Sequence, residues 1–257
     1  MDGRKQRLAG RTCLITGASS GFGAHFARLL SREGARVVLG ARRVERIETL
    51  ARDIVDGGGE ALAVAMDVTV EASVIAAYDA AEAKFGTVDT VIANAGISAP
   101  GRSTEVPVDA IRSVLETNVL GVMLTAREGA NRMMAAGSRD RGDGRILLIG
   151  SLGGDAYIAG EAAYCASKAA VAQMGRNLAR EWVRQGVNVN IIQPGFILTE
   201  MADDWFDSDG GKAQIAAFHR RKLQPIESLD EPVIYFCSDA AASATGAVLT
   251  IDDGQSL

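Results

Sequence analysis

The chain has 257 residues, 47% hydrophobic and 23% charged, with 27 Lys and Arg against 32 Asp and Glu for a formal net charge of −5. That balance excludes a disordered or collagen-like chain, and the mild acidity gives no electrostatic case for nucleic acid or an anionic membrane surface as partner. Three cysteines without CxxC spacing argue against a disulfide framework, and two histidines, His25 and His219, have no second ligand at metal-binding spacing, so no metal site is expected. The N-terminal MDGRKQRLAGR has charge but no apolar stretch behind it, and no apolar run approaches the roughly 18 residues of a membrane span. A cytoplasmic protein forming a single unit over residues 1–257 is the expectation.

Short apolar runs predicted as strands fall at 12–16, 36–40, 61–66, 88–93, 145–150, 187–192 and 247–251. Between them lie segments with a 3.6-residue apolar period, including 24–32, 43–55 and 71–85. This alternation predicts an α/β fold: a doubly wound parallel sheet of about seven strands, Rossmann-like, with helices on both faces. Two stretches break the rhythm. Residues 97–104 (ISAPGRST) form a Pro/Gly/Ser loop, and residues 198–223 form a long insertion between the last two strands.

In chain order, the first chemical signal is Thr16-Gly17-Ala18-Ser19-Ser20-Gly21-Phe22-Gly23, between the first strand and the helix after it. Such a turn lets the backbone approach a pyrophosphate closely while helix N–H groups and the positive dipole end face it, so Gly17, Ser19, Ser20, Gly21, Phe22 and Gly23 are candidate dinucleotide contacts. At the end of the second strand, where an acidic residue would accept hydrogen bonds from a ribose diol, the chain has Gly40-Ala41-Arg42-Arg43. Two guanidinium groups favour a 2′-phosphate, which makes NADP(H) the expected cofactor and NAD(H) the runner-up; Arg42 and Arg43 would also suit the solvated first turn of a helix. Further on, Tyr164 and Lys168 are four apart in an Ala-rich helical segment and project from one face. An ammonium beside a phenol favours the phenolate, so the pair predicts a Tyr acid/base with a lowered pKa.

The spacing Gly17-x-x-x-Gly21-x-Gly23 resembles the short-chain dehydrogenase/reductase family. The resemblance continues in family order over nearly the whole chain: Asp67-Val68, Asn94-Ala95-Gly96, Asn118, Ser151, Tyr164-Cys165-Ala166-Ser167-Lys168 and Pro194-Gly195. It implies a catalytic tetrad of Asn118, Ser151, Tyr164 and Lys168. Ser151 would hydrogen-bond the substrate oxygen, Asn118 would anchor a water in a proton relay, and Lys168 would also hold the nicotinamide ribose. Asp67 and Val68 would meet the adenine, Asn94, Ala95 and Gly96 would back the adenosine, and Pro194, Gly195, Ile197 and Thr199 would lie against the nicotinamide. A homo-oligomer, tetramer or dimer, is implied in the same way. Two positions depart from the family pattern: Ala93 stands where many members have Asn, and Asp253 where Gly is usual, which weakens the oligomer inference.

Ser151 lacks a Gly-x-Ser-x-Gly elbow, which argues against a serine hydrolase. Candidate substrate walls are residues 98–103, residues 152–158, and Met201, Trp205, Phe206 and Phe218, whose apolar character suggests a small to medium hydrophobic carbonyl or alcohol. The same aromatic residues would equally serve as the inner side of a lid helix. Asp203, Asp204, Asp207 and Asp209 make the insertion acidic and disfavour anionic substrates. Two alternatives stand beside an NADP(H)-dependent alcohol/ketone oxidoreductase. One is a 3-oxoacyl-carrier-protein reductase that docks its acidic carrier on Arg127, Arg132, Arg139 and Arg141; the other is an NADP(H)-binding sensor or assembly subunit without catalysis.

Overall fold

The structure, a computed structural model, describes residues 6–199 and 203–257, with the backbone alone at Asp203 and Asp204. The strands β1 (Thr12–Thr16), β2 (Arg36–Ala41), β3 (Glu60–Ala65), β4 (Thr90–Ala93), β5 (Gly144–Ile149), β6 (Val187–Pro194) and β7 (Val248–Ile251) form one parallel sheet in the order β3-β2-β1-β4-β5-β6-β7. β1, β4, β5 and β6 are buried along their whole length, as Val/Ile/Leu-rich strands covered on both faces must be. The order in which successive strands are added reverses between β1 and β4, which are parallel, and at such a switch point open α/β sheets bind ligands.

Alternate residues of each strand feed two separate cores. Cys13, Ile15, Val37, Leu39 and Ile92 pack with Phe26 and Leu30 of α1 (Gly21–Arg32), Ile47 and Leu50 of α2 (Val44–Asp56) and Val233 and Phe236 near the C-terminus. Leu14, Val38 and Val91 face the other way, onto Val74 and Tyr78 of α3 (Glu71–Phe85) and onto later helices. After α3 come α4 (Val108–Leu115), a π-helical turn (Glu116–Leu120), α5 (Gly121–Ala135), α6 (Ser138–Arg141), α7 (Ala162–Trp182), α8 (Asp203–Asp207), α9 (Asp209–Ala217) and α10 (Asp230–Cys237). Among the described residues no helix is long and apolar enough to cross a membrane.

Three boundaries differ from expectation, each for a physical reason. α1 starts at Gly21 rather than residue 24, because glycines with poor helix propensity hide the first turn. β4 starts at Thr90, since Asp89 leaves the strand direction to bind its neighbours: its carboxylate accepts from Thr12 N at 3.1 Å and from Arg11 Nη1 at 3.2 Å. The insertion is not a bare loop but the pair α8 and α9, built on a small aromatic core. There Phe196 meets Phe206 edge-on at 6.0 Å and stacks on Phe218 at 5.4 Å.

At the edge of the sheet opposite the C-terminal ends, Arg11 ties three elements together. Its guanidinium donates to Asp89, to Thr90 Oγ1 at 3.1 Å, to Asp143 O at 3.0 Å and to Asp239 at 2.5 Å. The buried Arg145 completes this base by donating to Ser238 O at 3.1 Å and to the carbonyls of Gly142 and Gly144 at 2.9 Å.

Candidate active site

A cleft of about 430 Å³ opens at the C-terminal ends of β1, β2, β4 and β5. Its floor depends on close backbone approach. Gly17 sits at φ +68°, and a Cβ there would lie 2.9 Å from Ala95 Cα; one on Gly23 would lie 2.4 Å from Gly17 O. Neither position tolerates a side chain, so α1 can pack directly under the turn. Asn94 acts as a strut across the strand ends: its Nδ2 donates to Thr16 O at 2.9 Å, while Asn94 N and Ala95 N both donate to Thr16 Oγ1 at 3.0 Å.

The N-terminus of α1 has no side-chain cap and no acid in its first turn, so its N–H groups and dipole face the cleft without a competing anion. Across this opening Arg43, the residue that heads α2, donates from Nε to Ser19 Oγ at 3.1 Å and from Nη2 to Ser20 Oγ at 2.6 Å. Arg42 lies exposed beside it and lines the same cleft. Asp67 marks the far rim. Thr69, donating to it from N at 3.0 Å and from Oγ1 at 2.7 Å, holds its carboxyl below the usual range, helped by the charge of Arg42.

Tyr164 and Lys168, on consecutive turns of α7, close the inner end of the cleft. Lys168 is 4% exposed, and its Nζ donates to Ile149 O at 2.8 Å. Burial pushes its pKa down to about 8. The lowered phenol pKa expected for Tyr164 is not found. Burial pushes it up to about 12 and the charge of Glu161 pushes the same way, against a hydrogen bond from Ser151 that pulls it down. Lys168 Nζ, 5.6 Å from the centre of the Tyr164 ring and bonded to Ile149, does not offset the desolvation. Ser151 also caps the turn that follows it, accepting from Gly153 N at 3.1 Å.

Asn118 lies in the π-helical turn and is fully buried. Its Oδ1 accepts from Ile97 N at 2.8 Å, and its Nδ2 donates to Ile97 O at 2.9 Å and to Ser167 Oγ at 3.0 Å. The side chain is thus committed to pinning the loop after β4 against α7. A Cβ on Gly96 would come within 3.4 Å of Asn118 Oδ1 and 3.5 Å of Lys168 Nζ, so glycine keeps this corner open.

Of the sequence-predicted residues, Gly17, Ser19, Ser20, Gly21, Phe22, Arg42, Arg43, Asp67, Val68, Asn94, Ala95, Gly96, Tyr164, Lys168 and Thr199 line this one cleft. Gly23, Asn118, Ser151, Pro194, Gly195 and Ile197 are not among the lining residues, although Ser151 reaches Tyr164, which is. Pro194 is paired with Ile251 in the sheet, Gly195 N donates to Ile251 O at 2.9 Å, and Ile197 is buried and bridged to Gln224. Ala41, Met66, Ile97, Thr117, Ile149 and Gly150 line the cleft without having been singled out; most follow directly from standing at or next to a strand's C-terminal end.

The expected substrate walls are corrected in part. Phe206, Phe218 and Leu152 are interior, whereas Tyr157 (89% exposed) and Trp205 (52% exposed) are open to solvent. Met201 lies outside the described residues, as do the side chains of Asp203 and Asp204. Asp253, at φ +54°, occupies the left-handed region that makes glycine usual, and its carboxylate pairs with Arg220 at 2.9 Å, fastening the insertion to the C-terminal segment. The proposed carrier-docking arginines are largely neutralised: Arg127 pairs with Glu71, Arg132 with Asp79, Glu82 and Glu128 at 2.7 Å each, and Arg141 with Asp143 at 2.6 Å.

This geometry agrees with what the chain is similar to. The family model described as short chain dehydrogenase matches residues 11–210. Cis-4-hydroxycyclohexanecarboxylate dehydrogenase of Sinomonas cyclohexanicum is 37% identical over 250 residues, covering 97% of this chain and 98% of the relative. D-threitol dehydrogenase of Mycolicibacterium smegmatis is 33% identical over 251 residues, covering 98% and 95%. The crystal structure of a gluconate 5-dehydrogenase from Burkholderia cenocepacia, in complex with NADP and tartrate, superposes with a TM-score of 0.91 at 30% identity, covering 98% of this chain and 97% of that one. The chain belongs to the short-chain dehydrogenase/reductase family, oxidoreductases that act on alcohol and ketone groups with NAD(P).

Proposed function

We propose that the protein is an NADP(H)-dependent oxidoreductase interconverting a secondary alcohol and a ketone on a small to medium, mainly hydrophobic substrate. The observation that carries this reading is the cleft that runs from the uncapped start of α1, with Ser19 and Ser20 bonded by Arg43 from across the opening, to the Tyr164–Lys168 pair. The fit to a phosphorylated dinucleotide rests on that donor set and on the space kept at Gly96. Ser19, Ser20, the N–H groups of α1, Arg42 and Arg43 would hold phosphates; Asp67 and Val68 would flank the base; Lys168 and Thr199 would hold the nicotinamide end. The seven strands in one sheet support treating the chain as one functional unit.

A bound nicotinamide dinucleotide supplies or takes up the hydride. Tyr164 gives its proton to the carbonyl oxygen in reduction and takes one from the alcohol in oxidation, with Ser151 hydrogen-bonding the same oxygen. Lys168, anchored by one bond to Ile149 O, keeps two N–H donors for ribose hydroxyls, and its ammonium steadies a phenolate that burial disfavours. Asn118 acts as a positioning residue by fixing Ile97 and Ser167. Neutralisation of Arg127, Arg132 and Arg141 removes support for carrier docking, and membership of a dehydrogenase family removes it for a non-catalytic sensor.

The test is a parallel calorimetric titration with NADP+ and NAD+, followed by an NADPH-oxidation screen over ketones. NADP+ binding tighter by ten-fold or more, about 1.4 kcal/mol, is expected. Equal or tighter NAD+ binding overturns the cofactor assignment, and turnover of no ketone or alcohol overturns the reaction.

A further inference from the structure

We propose that Ser98 and Glu161 form a polar subsite beside Tyr164 for a second substrate hydroxyl, so that the preferred alcohol is a neutral diol on an otherwise apolar frame and not a hydroxy acid. The inference rests on the alcohol/ketone reading above and names the substrate class within it. Two loops meet here. Ser98 Oγ donates to Glu161 Oε2 at 2.5 Å, and Gly101 N donates to Gly160 O at 2.9 Å, so the segment after β4 and the segment before α7 form one wall. Ile97, the neighbour of Ser98, already lines the cleft.

The described side-chain contact of Glu161 is the bond from Ser98 that joins the two loops, and it uses Oε2 alone. Glu161 precedes α7, yet its side chain does not cap that helix. Among the described residues its side chain is hydrogen-bonded by Ser98, and no Lys or Arg pairs with it. Burial pushes its carboxyl up, the cost of removing a carboxylate from water without a counter-ion. Nor does it serve the proton transfer, because its charge opposes the phenolate of Tyr164, three residues on. What remains is recognition. Oε1 is an acceptor without a described partner, and Ser98 Oγ can accept while it donates to Oε2. A substrate hydroxyl donates its one proton to Oε1, whereas a substrate carboxylate meets a like charge.

The experiment compares wild type, Glu161→Ala, Glu161→Gln and Ser98→Ala on matched six-membered rings: cyclohexanol, 1,2- and 1,4-cyclohexanediol, 4-hydroxycyclohexanecarboxylate and 4-aminocyclohexanol. Calorimetry on nucleotide-loaded Tyr164→Phe protein, with and without Glu161→Ala, measures affinity apart from turnover. Wild-type kcat/KM for a diol should exceed that for cyclohexanol by about ten-fold or more, through KM, as a hydrogen bond to a charged acceptor allows. Glu161→Ala should remove that ratio, and Glu161→Gln should lower KM for the hydroxy acid by about ten-fold. A ratio unchanged in folded Glu161 variants, or a wild type that prefers the hydroxy acid or the amino alcohol, overturns the subsite while leaving the alcohol/ketone reaction standing. Turnover of no compound overturns both.

Discussion

Arg43 Nη2 lies 2.6 Å from Ser20 Oγ and donates to it, so the guanidinium that heads α2 rests on the turn that heads α1. The cation is therefore placed before any phosphate arrives, which limits the side-chain ordering that binding would otherwise require. Arg43→Ala should weaken NADP+ binding by about ten-fold or more and NAD+ binding by less than about three-fold, measured by calorimetry. An equal loss for both nucleotides would mean that Arg43 shapes the turn without reading the 2′-phosphate.

Tyr164→Phe removes one oxygen from a buried ring and leaves the wall of the cleft in place. The expected result is a kcat lower by about 10²–10⁴-fold with nucleotide affinity nearly unchanged. Reduction needs the protonated phenol, which is present at all pH below about 12. Any fall in the rate of ketone reduction above about pH 8 should therefore track loss of the Lys168 ammonium, and a pH profile of kcat/KM measures it.

Lys168 predicts a conflict between stability and activity. With its pKa lowered to about 8 in the fold against 10.5 in the unfolded chain, its charge is a cost at neutral pH. Between pH 8 and 10.5 the unfolded state holds the extra proton, so wild-type stability rises with pH through that window. Lys168→Met removes a cost of about 3 kcal/mol and loses a hydrogen bond of about 1 kcal/mol, so it should gain about 2 kcal/mol at pH 7 while losing turnover. Denaturant titrations at pH 7 and pH 10 check it. A gain that does not shrink at the higher pH would show that burial of the charge is not its source.

Arg11, 8% exposed, holds Asp89 and Asp239 together with two backbone and hydroxyl acceptors. Arg11→Ala leaves Asp89 without a cation, a loss of about 3 kcal/mol, or roughly 6–12 °C in Tm for a domain of this size. Arg11→Ala with Asp89→Asn should recover part of it. A single variant within about 2 °C of wild type would show that the network contributes little.

The strands and the glycine turn were legible because their signals are local: apolar runs of strand length, and Gly at positions where a Cβ would collide with Ala95 or with Gly17 O. Tyr164 and Lys168 were legible for the same reason, since four residues make one helical turn. The roles of Asn118 and Ser151 came only through resemblance, because nothing in their own neighbourhoods shows that Asn118 reaches Ile97 and Ser167, or that Ser151 reaches Tyr164. Spacing places the ammonium near the phenol but says nothing of the burial that pushes the phenol pKa up or of the Ile149 carbonyl to which Lys168 donates. Ser98 falls within the 98–103 stretch expected to wall the substrate, but its pairing with Glu161 has no signal in the sequence: the two are 63 positions apart and belong to loops without periodicity. Phe206 and Phe218 read equally well as substrate wall or lid core until Phe196 was seen between them.

The π-helical turn at Glu116–Leu120 has a further consequence for how this rod of helix can change. A turn that accommodates one more residue than its neighbours rotates everything after it by about 100° relative to a regular helix. Here that rotation lets Asn118 face Ile97 while Thr125, farther along, still offers its carbonyl to Tyr78 at 2.8 Å. Deleting any one residue from the turn would restore ideal geometry, yet it would keep only one of those two alignments. The segment from α4 to α5 is thus keyed like a two-bitted lock: its length is held by one alignment at Ile97 and another at Tyr78.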